Sequence, residues 1–246
     1  MSMSLSDEYF RIVCDQLNEI KRTQKSVMEK AADLFAECLI HERWIYLFGT
    51  GHSHMLAEEL FYRAGGLARV RPILRPELML HVSASESTEA ERDLEKVTGI
   101  MADYPMGQGD VLLIASNSGR NAVPVELAIR AKETGAKVIA LVSRRHCEAF
   151  PSRHPSGQSL PDIAELTIDN CGVAGDACVP VAGLGMSIGA SSSVTGTAIL
   201  QMVVCDAVEK ALNRGSEPLM FCSSNADREH DNHAILDGLK GIVKHI

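Results

Sequence analysis

The sequence lacks the patterns that would place it among membrane, secreted or zinc-ribbon proteins. Its seven cysteines include no C-x-x-C pair, which argues against a zinc ribbon or a disulfide framework and favours free thiols in a reducing compartment. The segment "MSMSLSDEYFRIV" lacks the basic and long apolar parts of a signal peptide, and no apolar run approaches the roughly 20 residues of a membrane helix. We therefore expect a cytoplasmic protein without a membrane partner.

An excess of basic residues is also absent. The chain has 24 Lys and Arg residues against 32 Asp and Glu, a formal net charge of −8. General nucleic-acid binding requires clustered positive charge, so we expect no nucleic-acid partner. Small anions remain possible ligands, because backbone amides at helix amino ends can bind them locally.

What is present is material for one large α/β domain over residues 1–246, since 46% of the residues are hydrophobic. Apolar residues recur at spacings of three and four over 5–42, which predicts an N-terminal helical segment (1–42). Short apolar runs then alternate with helical patterns, which predicts a parallel sheet within a core of 43–212, followed by a C-terminal tail and helix over 213–246. The predicted strands are 44–48, 68–74, 111–115, 137–142 and 164–168. The predicted later helices are 53–64, 88–97, 122–134, 194–212 and 226–244, with 144–161 and the glycine-rich 169–193 as loops.

Two of the predicted strands lead into loops rich in glycine, hydroxyl and amide groups. The first loop is "GTGHS", residues 49–53, and the second is "SNSGRN", residues 116–121. Exposed N–H groups at a helix amino end suit a phosphate monoester. In the structural alternative, Ser53 and Asn121 are only helix caps and the glycines only turn residues.

The first loop departs from a dinucleotide-binding fingerprint. His54 stands where the third glycine of G-x-G-x-x-G belongs, and the second strand runs into Arg71 and Arg75 rather than an acidic residue for a ribose. A Walker A motif is missing as well. We therefore expect no nucleotide cofactor, and no other cofactor is indicated.

Together, G-x-G-x-S and S-x-S-G-x-[S/T], the latter with Asn121 in its last position, resemble the sugar isomerase (SIS) domain over residues 40–212. The unit "GDVLLIASNSGRNAVPVELAIRAKETGAKVIAL" is similar to that of phosphoheptose isomerases, with an uncharacterised SIS subfamily as the other placement. The resemblance implies a three-layer α-β-α sandwich with a five-stranded parallel sheet. It also implies a homodimer or homotetramer with sites at subunit interfaces, and phosphate contacts from Ser53, Ser116, Ser118 and Asn121.

Candidates for proton transfer follow the first loop. A helix that buries Leu60 and Phe61 places Glu58 on its flank and turns Glu59 toward solvent or a second subunit. "AEEL" resembles the same letters in phosphoheptose isomerases, which implies that Glu59 is catalytic. Those enzymes also use a histidine on the helix after the fifth strand, and the corresponding segment here has none.

Candidate replacements for that histidine are His52 and His54, or His230 and His233. The cluster "EHDNH" that contains the second pair lacks a third ligand at definite spacing, so we expect no metal. The further candidates for binding phosphate or sugar lie in the two loops and at the start of the last long helix: Gly51, His52, Asn117, Gly119, Ser192, Ser193 and Thr195.

These features predict a phosphosugar-binding protein, and specifically a sugar-phosphate isomerase of phosphoheptose isomerase type. The alternatives are a non-catalytic phosphosugar sensor and an amino-sugar phosphate lyase or etherase.

Overall fold

The centre of the computed structural model, which describes residues 3–225 and 232–246, is a sheet of five parallel strands. They are β1 (Ile45–Gly49), β2 (Val70–Ile73), β3 (Val111–Ala115), β4 (Lys137–Val142) and β5 (Leu166–Asp169). The order across the sheet is β2-β1-β3-β4-β5. Every residue of β1 and β3 is buried, as expected for parallel strands with helices on both faces.

Helices form the outer layers. In the described part of the chain they are α1 (Leu5–Thr23), α2 (Lys25–Ile40), α3 (Met55–Glu59), α4 (Ala84–Ala90), α5 (Glu95–Asp103), α6 (Ala122–Glu133), α7 (Arg144–Ala149), α8 (Leu160–Ile163), α9 (Ser192–Asn213) and α10 (Asn232–Leu239). None of the helices in these residues is long and apolar enough to cross a membrane.

Side chains alternate between the two faces of the sheet. Ile45 and Leu47 of β1 pack with α2, α3 and α9, whereas Tyr46 and Phe48 pack with α5, α6 and α8. Successive side chains of a strand point to opposite faces of the sheet, and here both faces are covered by helices. The predicted three-layer sandwich with a five-stranded parallel sheet and an N-terminal helical segment is confirmed.

The helix after the first loop is much shorter than predicted. A 3-10 turn (Gly51–His54) precedes α3, which ends at Glu59 rather than near residue 64. Tyr62 then adopts a left-handed φ of 42°. Beyond it, residues 65–68 pair with the C-terminal segment: Gly65 donates to the Phe221 carbonyl at 2.8 Å, and Phe221 donates to that of Gly66 at 2.9 Å.

Three further segments differ from the sequence-based prediction. The predicted helix over 88–97 is instead the pair α4 and α5, and the predicted loop over 144–161 contains α7. The glycine-rich segment forms an antiparallel hairpin of β6 (Ala177–Pro180) and β7 (Ser187–Ala190). A Cβ at Gly189 would lie 2.8 Å from the ring of Tyr9 on α1, so glycine is required where the hairpin meets that helix.

The C-terminal residues cover the β2 edge of the sheet. Helix α10 packs on Trp44, which immediately precedes β1, and on Ala68, which lies just before β2. Further along, the Tyr104 hydroxyl lies 3.0 Å from Nε2 of His245. The tail therefore packs beside the start of the edge strand β2.

Candidate functional site

A small polar pocket opens at the carboxyl ends of the central strands, where parallel α/β sheets bind their ligands. The residues that line it are Ser53, Leu56, Ala115, Ser116, Asn117, Leu141, Asn170, Ser192 and Ser193. Five of them, Ser53, Ser116, Asn117, Ser192 and Ser193, are sequence-predicted site residues. Among the described residues, the lining contains no ionisable side chain.

The first loop folds tightly back against the end of β1. A Cβ at Gly49 would lie 2.4 Å from the carbonyl group of Ser53, so only glycine allows the approach. Gly51 has a φ of 55°, and the Ser53 amide donates to the Thr50 carbonyl at 3.0 Å. Ser53 is thus inside the 3-10 turn rather than the predicted cap of α3, and it lines the pocket instead.

The second loop turns on Gly119, whose φ is 60°. Its amide donates to the carbonyl oxygen of Ser116 at 3.0 Å and to the hydroxyl oxygen of Ser116 at 3.1 Å. Because the Ser116 hydroxyl accepts this bond, its own proton is available for an acceptor in the pocket. A Cβ at Gly119 would meet the Cys147 sulfur at 2.7 Å, so α7 closely supports the turn.

Ser118 does not line the pocket. Its carbonyl accepts a hydrogen bond from the Cys147 thiol at 3.3 Å. Burial raises the pKa of that thiol to about 11, so the thiol remains protonated at neutral pH and can keep donating. The sequence-based role of Ser118 as a phosphate ligand stays a prediction.

Asn170, which sequence reasoning missed, supplies an amide from the end of β5. It donates from Nδ2 to the side-chain oxygen of Asn117 at 2.9 Å, and its own side-chain oxygen accepts from the Gly172 amide at 2.8 Å. The Asn117 amide is thereby oriented, because its oxygen is engaged and its NH2 group can donate. Asn170 directly follows β5, so the rule that drew attention to the first two loops also applies to it.

The amino end of α9 is capped by an aspartate that the sequence analysis did not single out. Asp176 accepts from the amides of Ser191 and Ser192 at 3.1 and 2.9 Å, and from the Ser192 hydroxyl at 2.7 Å. A carboxylate at this end complements the helix dipole. Thr195, a predicted ligand residue, is fully buried and donates to the Ser191 carbonyl at 3.1 Å, so it lies behind the pocket.

Asn121 was predicted to contact phosphate, but the structure engages both ends of its amide elsewhere. Its Nδ2 donates to Glu91 Oε1 at 2.6 Å, and its oxygen accepts from Arg153 at 3.1 Å. Glu91 also accepts from the Thr50 hydroxyl at 2.7 Å. One carboxylate therefore joins the two loops. No motif contains Glu91, which follows α4, so the sequence alone gave no signal for it.

The two candidate proton carriers differ in their surroundings. The Glu59 side chain is 21% exposed; it accepts from Gln201 Nε2 of α9 at 2.9 Å and pairs with Arg63. A short α3 leaves Glu59 beside α9, so its own chain covers most of the side chain. The expectation that Glu59 faces solvent or a second subunit stays a prediction. Glu58 is half exposed, with the His54 Nε2 atom 3.9 Å away. Neither carboxylate lines the pocket.

The candidate histidines are scattered. His52 is exposed in the 3-10 turn, and His54 is buried with its Nδ1 atom against the Gly51 carbonyl. His233 lies on α10, which packs near the starts of β1 and β2, at the opposite end of the strands from the pocket. His230 lies outside the described residues. Over the ranges 3–225 and 232–246, no group of three His, Cys, Asp or Glu side chains is suited to a metal ion.

Comparisons with known proteins agree with this architecture. The family model described as SIS domain matches residues 8–143. The chain is 41% identical to UPF0309 protein Teth39_1980 of Thermoanaerobacter pseudethanolicus, over 97% of this chain and 99% of that protein. Among solved structures it resembles a phosphoheptose isomerase from Francisella tularensis (TM-score 0.56, 14% identity, covering 83% of this chain and 98% of the other). It also resembles the sugar isomerase domain of an RpiR transcription factor from Sphaerobacter thermophilus (TM-score 0.50, 16% identity, 86% and 94%).

Proposed function

The chain belongs to the SIS domain family and to the UPF0309 proteins within it, and on this basis we propose that it binds a sugar phosphate and isomerises it. The observation that carries the proposal is the pocket, which gathers hydroxyls and amides from three strand ends and from the amino end of α9. The neutral hydrogen-bond donors of its lining suit a phosphate monoester.

Binding in this pocket relies on neutral donors. The Ser53 and Ser116 hydroxyls and the Asn117 amide can each donate to a phosphate oxygen, and hydrogen bonds to an ionised acceptor are about twice as strong as neutral ones. The α9 dipole adds to this attraction, although Asp176 already occupies its first amides. Specificity for the phosphate end thus comes from hydrogen-bond geometry more than from net charge.

For proton transfer we propose Glu59, in agreement with the implication of the "AEEL" resemblance. Aldose–ketose isomerisation requires a base that moves a proton between C1 and C2 of the open sugar. Gln201 donates to the Glu59 carboxylate and Arg63 pairs with it, so its orientation is fixed. Because Glu59 does not line the pocket of its own chain, we further propose a homodimer or homotetramer in which it serves a site shared with a neighbouring copy.

A phosphosugar sensor is the second candidate. The observation in its favour is that the described lining of the pocket has no ionisable side chain. Such a lining can bind a phosphate through neutral donors, but it contains no acid or base for proton transfer. The similar fold of a transcription factor's sugar isomerase domain is compatible with a regulatory role.

Two measurements separate these functions. Thermal shift against a panel of aldose and ketose phosphates tests binding. A ligand that raises the melting temperature of the protein is then incubated with it in deuterated water. Isomerase activity predicts exchange at C1 or C2, lost in Glu59→Gln and kept in the matched variant Glu58→Gln. Binding without exchange or product would favour the sensor, and exchange that survives Glu59→Gln would refute the role of that residue. Release of a substituent from C3, detected by mass spectrometry, would instead identify a lyase or etherase.

A further inference from the structure

Three basic side chains and one aromatic ring form a cluster, Arg120–His146–Phe150–Arg153, beside the second loop. The Arg120 guanidinium lies 5.6 Å from the centre of the Phe150 ring, and the His146 ring packs on the same phenyl group at 4.9 Å. Arg120 also donates from Nε to the Pro151 carbonyl at 2.6 Å. Stacking and this hydrogen bond hold the Arg120 side chain in place.

The cluster is attached to the second loop by backbone hydrogen bonds. Arg153 donates from its amide to the Arg120 carbonyl at 2.8 Å, and its guanidinium donates to the Asn121 side chain. Arg120 itself stands between the turn residue Gly119 and Asn121. Ser116 and Asn117 of the same loop line the pocket, so the cluster and the pocket are attached to one loop.

Among the residues that the structure describes, neither guanidinium has an acidic partner. No ion pair formed by the described residues includes Arg120 or Arg153. The nearest carboxylate along the hydrogen-bond chain is Glu91, which the Asn121 amide separates from Arg153. Burial, and then the proximity of Arg153, lower the pKa of Arg120. Two like charges are thus held close together in a protein whose net charge is −8.

We infer that Arg120 and Arg153 form a subsite for a second anionic group of the ligand, a carboxylate or a second phosphate. The inference rests on the proposed phosphosugar binding, since the first phosphate occupies the Ser53–Ser116–Asn117 pocket. Each guanidinium has five N–H donors, and within the described part of the chain only one donor of each makes a hydrogen bond. Planar donor pairs of this kind match the two oxygens of a carboxylate or phosphate. The substrate class is therefore a sugar phosphate with an additional acidic group.

Calorimetric titration of the full-length protein with matched ligands tests the subsite. Fructose 6-phosphate is compared with fructose 1,6-bisphosphate, and glucose 6-phosphate with 6-phosphogluconate, so that one pair adds a phosphate and the other a carboxylate. We expect one of the doubly anionic ligands to bind about tenfold more tightly than its partner. The ligand pair with the larger difference in affinity shows whether the subsite binds a phosphate or a carboxylate. In Arg120→Gln/Arg153→Gln that difference should fall below about twofold while monophosphate affinity stays unchanged.

The single variant Arg153→Gln changes an exposed side chain whose one hydrogen bond goes to Asn121, and it covers the case that the double variant does not fold. Arg145→Gln is the matched control, because the Arg145 side chain pairs with Glu19 instead. Equal affinity within both ligand pairs, or a preference that survives both substitutions, would overturn the inference. An equal loss of monophosphate binding would also overturn it, since the arginines would then belong to the first phosphate. Failure of every sugar phosphate to bind the wild type would refute the proposed function itself, which is a different result.

Discussion

Asn121 donates its side-chain amide to the Oε1 atom of Glu91 across 2.6 Å, and this hydrogen bond ties the loop after β3 to the segment after α4. The other oxygen of Glu91 accepts from Thr50 of the first loop at 2.7 Å. The Glu91 backbone takes part as well, because its carbonyl accepts from the Val123 amide at 3.0 Å. The relative position of the two loops that line the pocket therefore depends on one glutamate.

Replacing Glu91 with glutamine should weaken ligand binding more than turnover. Glutamine replaces one of the two acceptor oxygens with an NH2 donor, so one of the two hydrogen bonds is lost or must reverse its direction, and the other loses the charge that strengthens it. We expect a roughly tenfold higher KM for the sugar phosphate, a kcat changed less than threefold, and a free energy of unfolding lower by about 1–3 kcal/mol. Glu89→Gln is the control, because Glu89 is exposed and pairs with Arg92. A fall in kcat at unchanged KM would contradict this positioning role.

Ser116→Ala should reduce affinity for every sugar phosphate alike. The substitution removes a donor to the phosphate and also the acceptor for the Gly119 amide, although that amide keeps the Ser116 carbonyl as a partner. We expect Kd to rise about ten- to a hundredfold, because hydrogen bonds to charged groups contribute about 1.5–3 kcal/mol. Titration calorimetry measures this change, with the exposed Ser6→Ala on α1 as control. Affinity within twofold of wild type would show that the phosphate lies elsewhere.

The sequence predicts the sheet well where the local pattern and the tertiary environment agree. Strands β3 and β4 coincide with the predicted 111–115 and 137–142, because both are continuous apolar runs bounded by turn residues. Helix α3 is shorter than predicted because its end depends on pairing between residues 65–68 and the distant residues 219–221. Such a long-range contact leaves no periodic signal in the local sequence.

The candidate site divides in the same way. Ser53, Ser116 and Asn117 lie in loops with recognisable motifs, and they reach the pocket. Glu91 and Asp176 lie in segments without a motif, and only the folded chain brings them to the loops and to α9. Asn121 has the side-chain chemistry of a phosphate ligand, but two neighbours distant in sequence use both ends of its amide.

Asp176→Asn should strengthen phosphate binding while it weakens the fold. The Asp176 carboxylate accepts from Ser191 and Ser192 at the amino end of α9, next to the pocket, where its charge repels a phosphate. We expect Kd for a sugar phosphate to fall about two- to fivefold, and the free energy of unfolding to fall by about 0.3–1 kcal/mol through the lost helix-dipole interaction. Calorimetry and urea denaturation measure the two effects.

Asp162→Asn, at the capping box of α8, is the control that should lower stability without tighter binding. Weaker binding in Asp176→Asn would mean that the carboxylate contributes to the site.

The charge of His146 should depend on the arginine cluster. Burial lowers the pKa of His146, Arg120 and Arg153 lower it further, and Asp176 partly opposes them. The Gly175 amide donates to Nδ1 at 3.0 Å, a bond that exists only while that nitrogen is unprotonated. Because the folded-state pKa is below the unfolded value of about 6.5, the stability contributed by neutral His146 is present above that pH and is lost as the pH falls below it.

Nuclear magnetic resonance titration should show a higher pKa for His146 in Arg120→Gln/Arg153→Gln than in wild type. In the control variant Arg145→Gln, the pKa of His146 should change less than in the double variant. A doubly anionic ligand should raise the pKa in the wild type in the same direction, because it offsets the field of the two guanidiniums. An unchanged His146 pKa in the double variant would show that burial alone sets it.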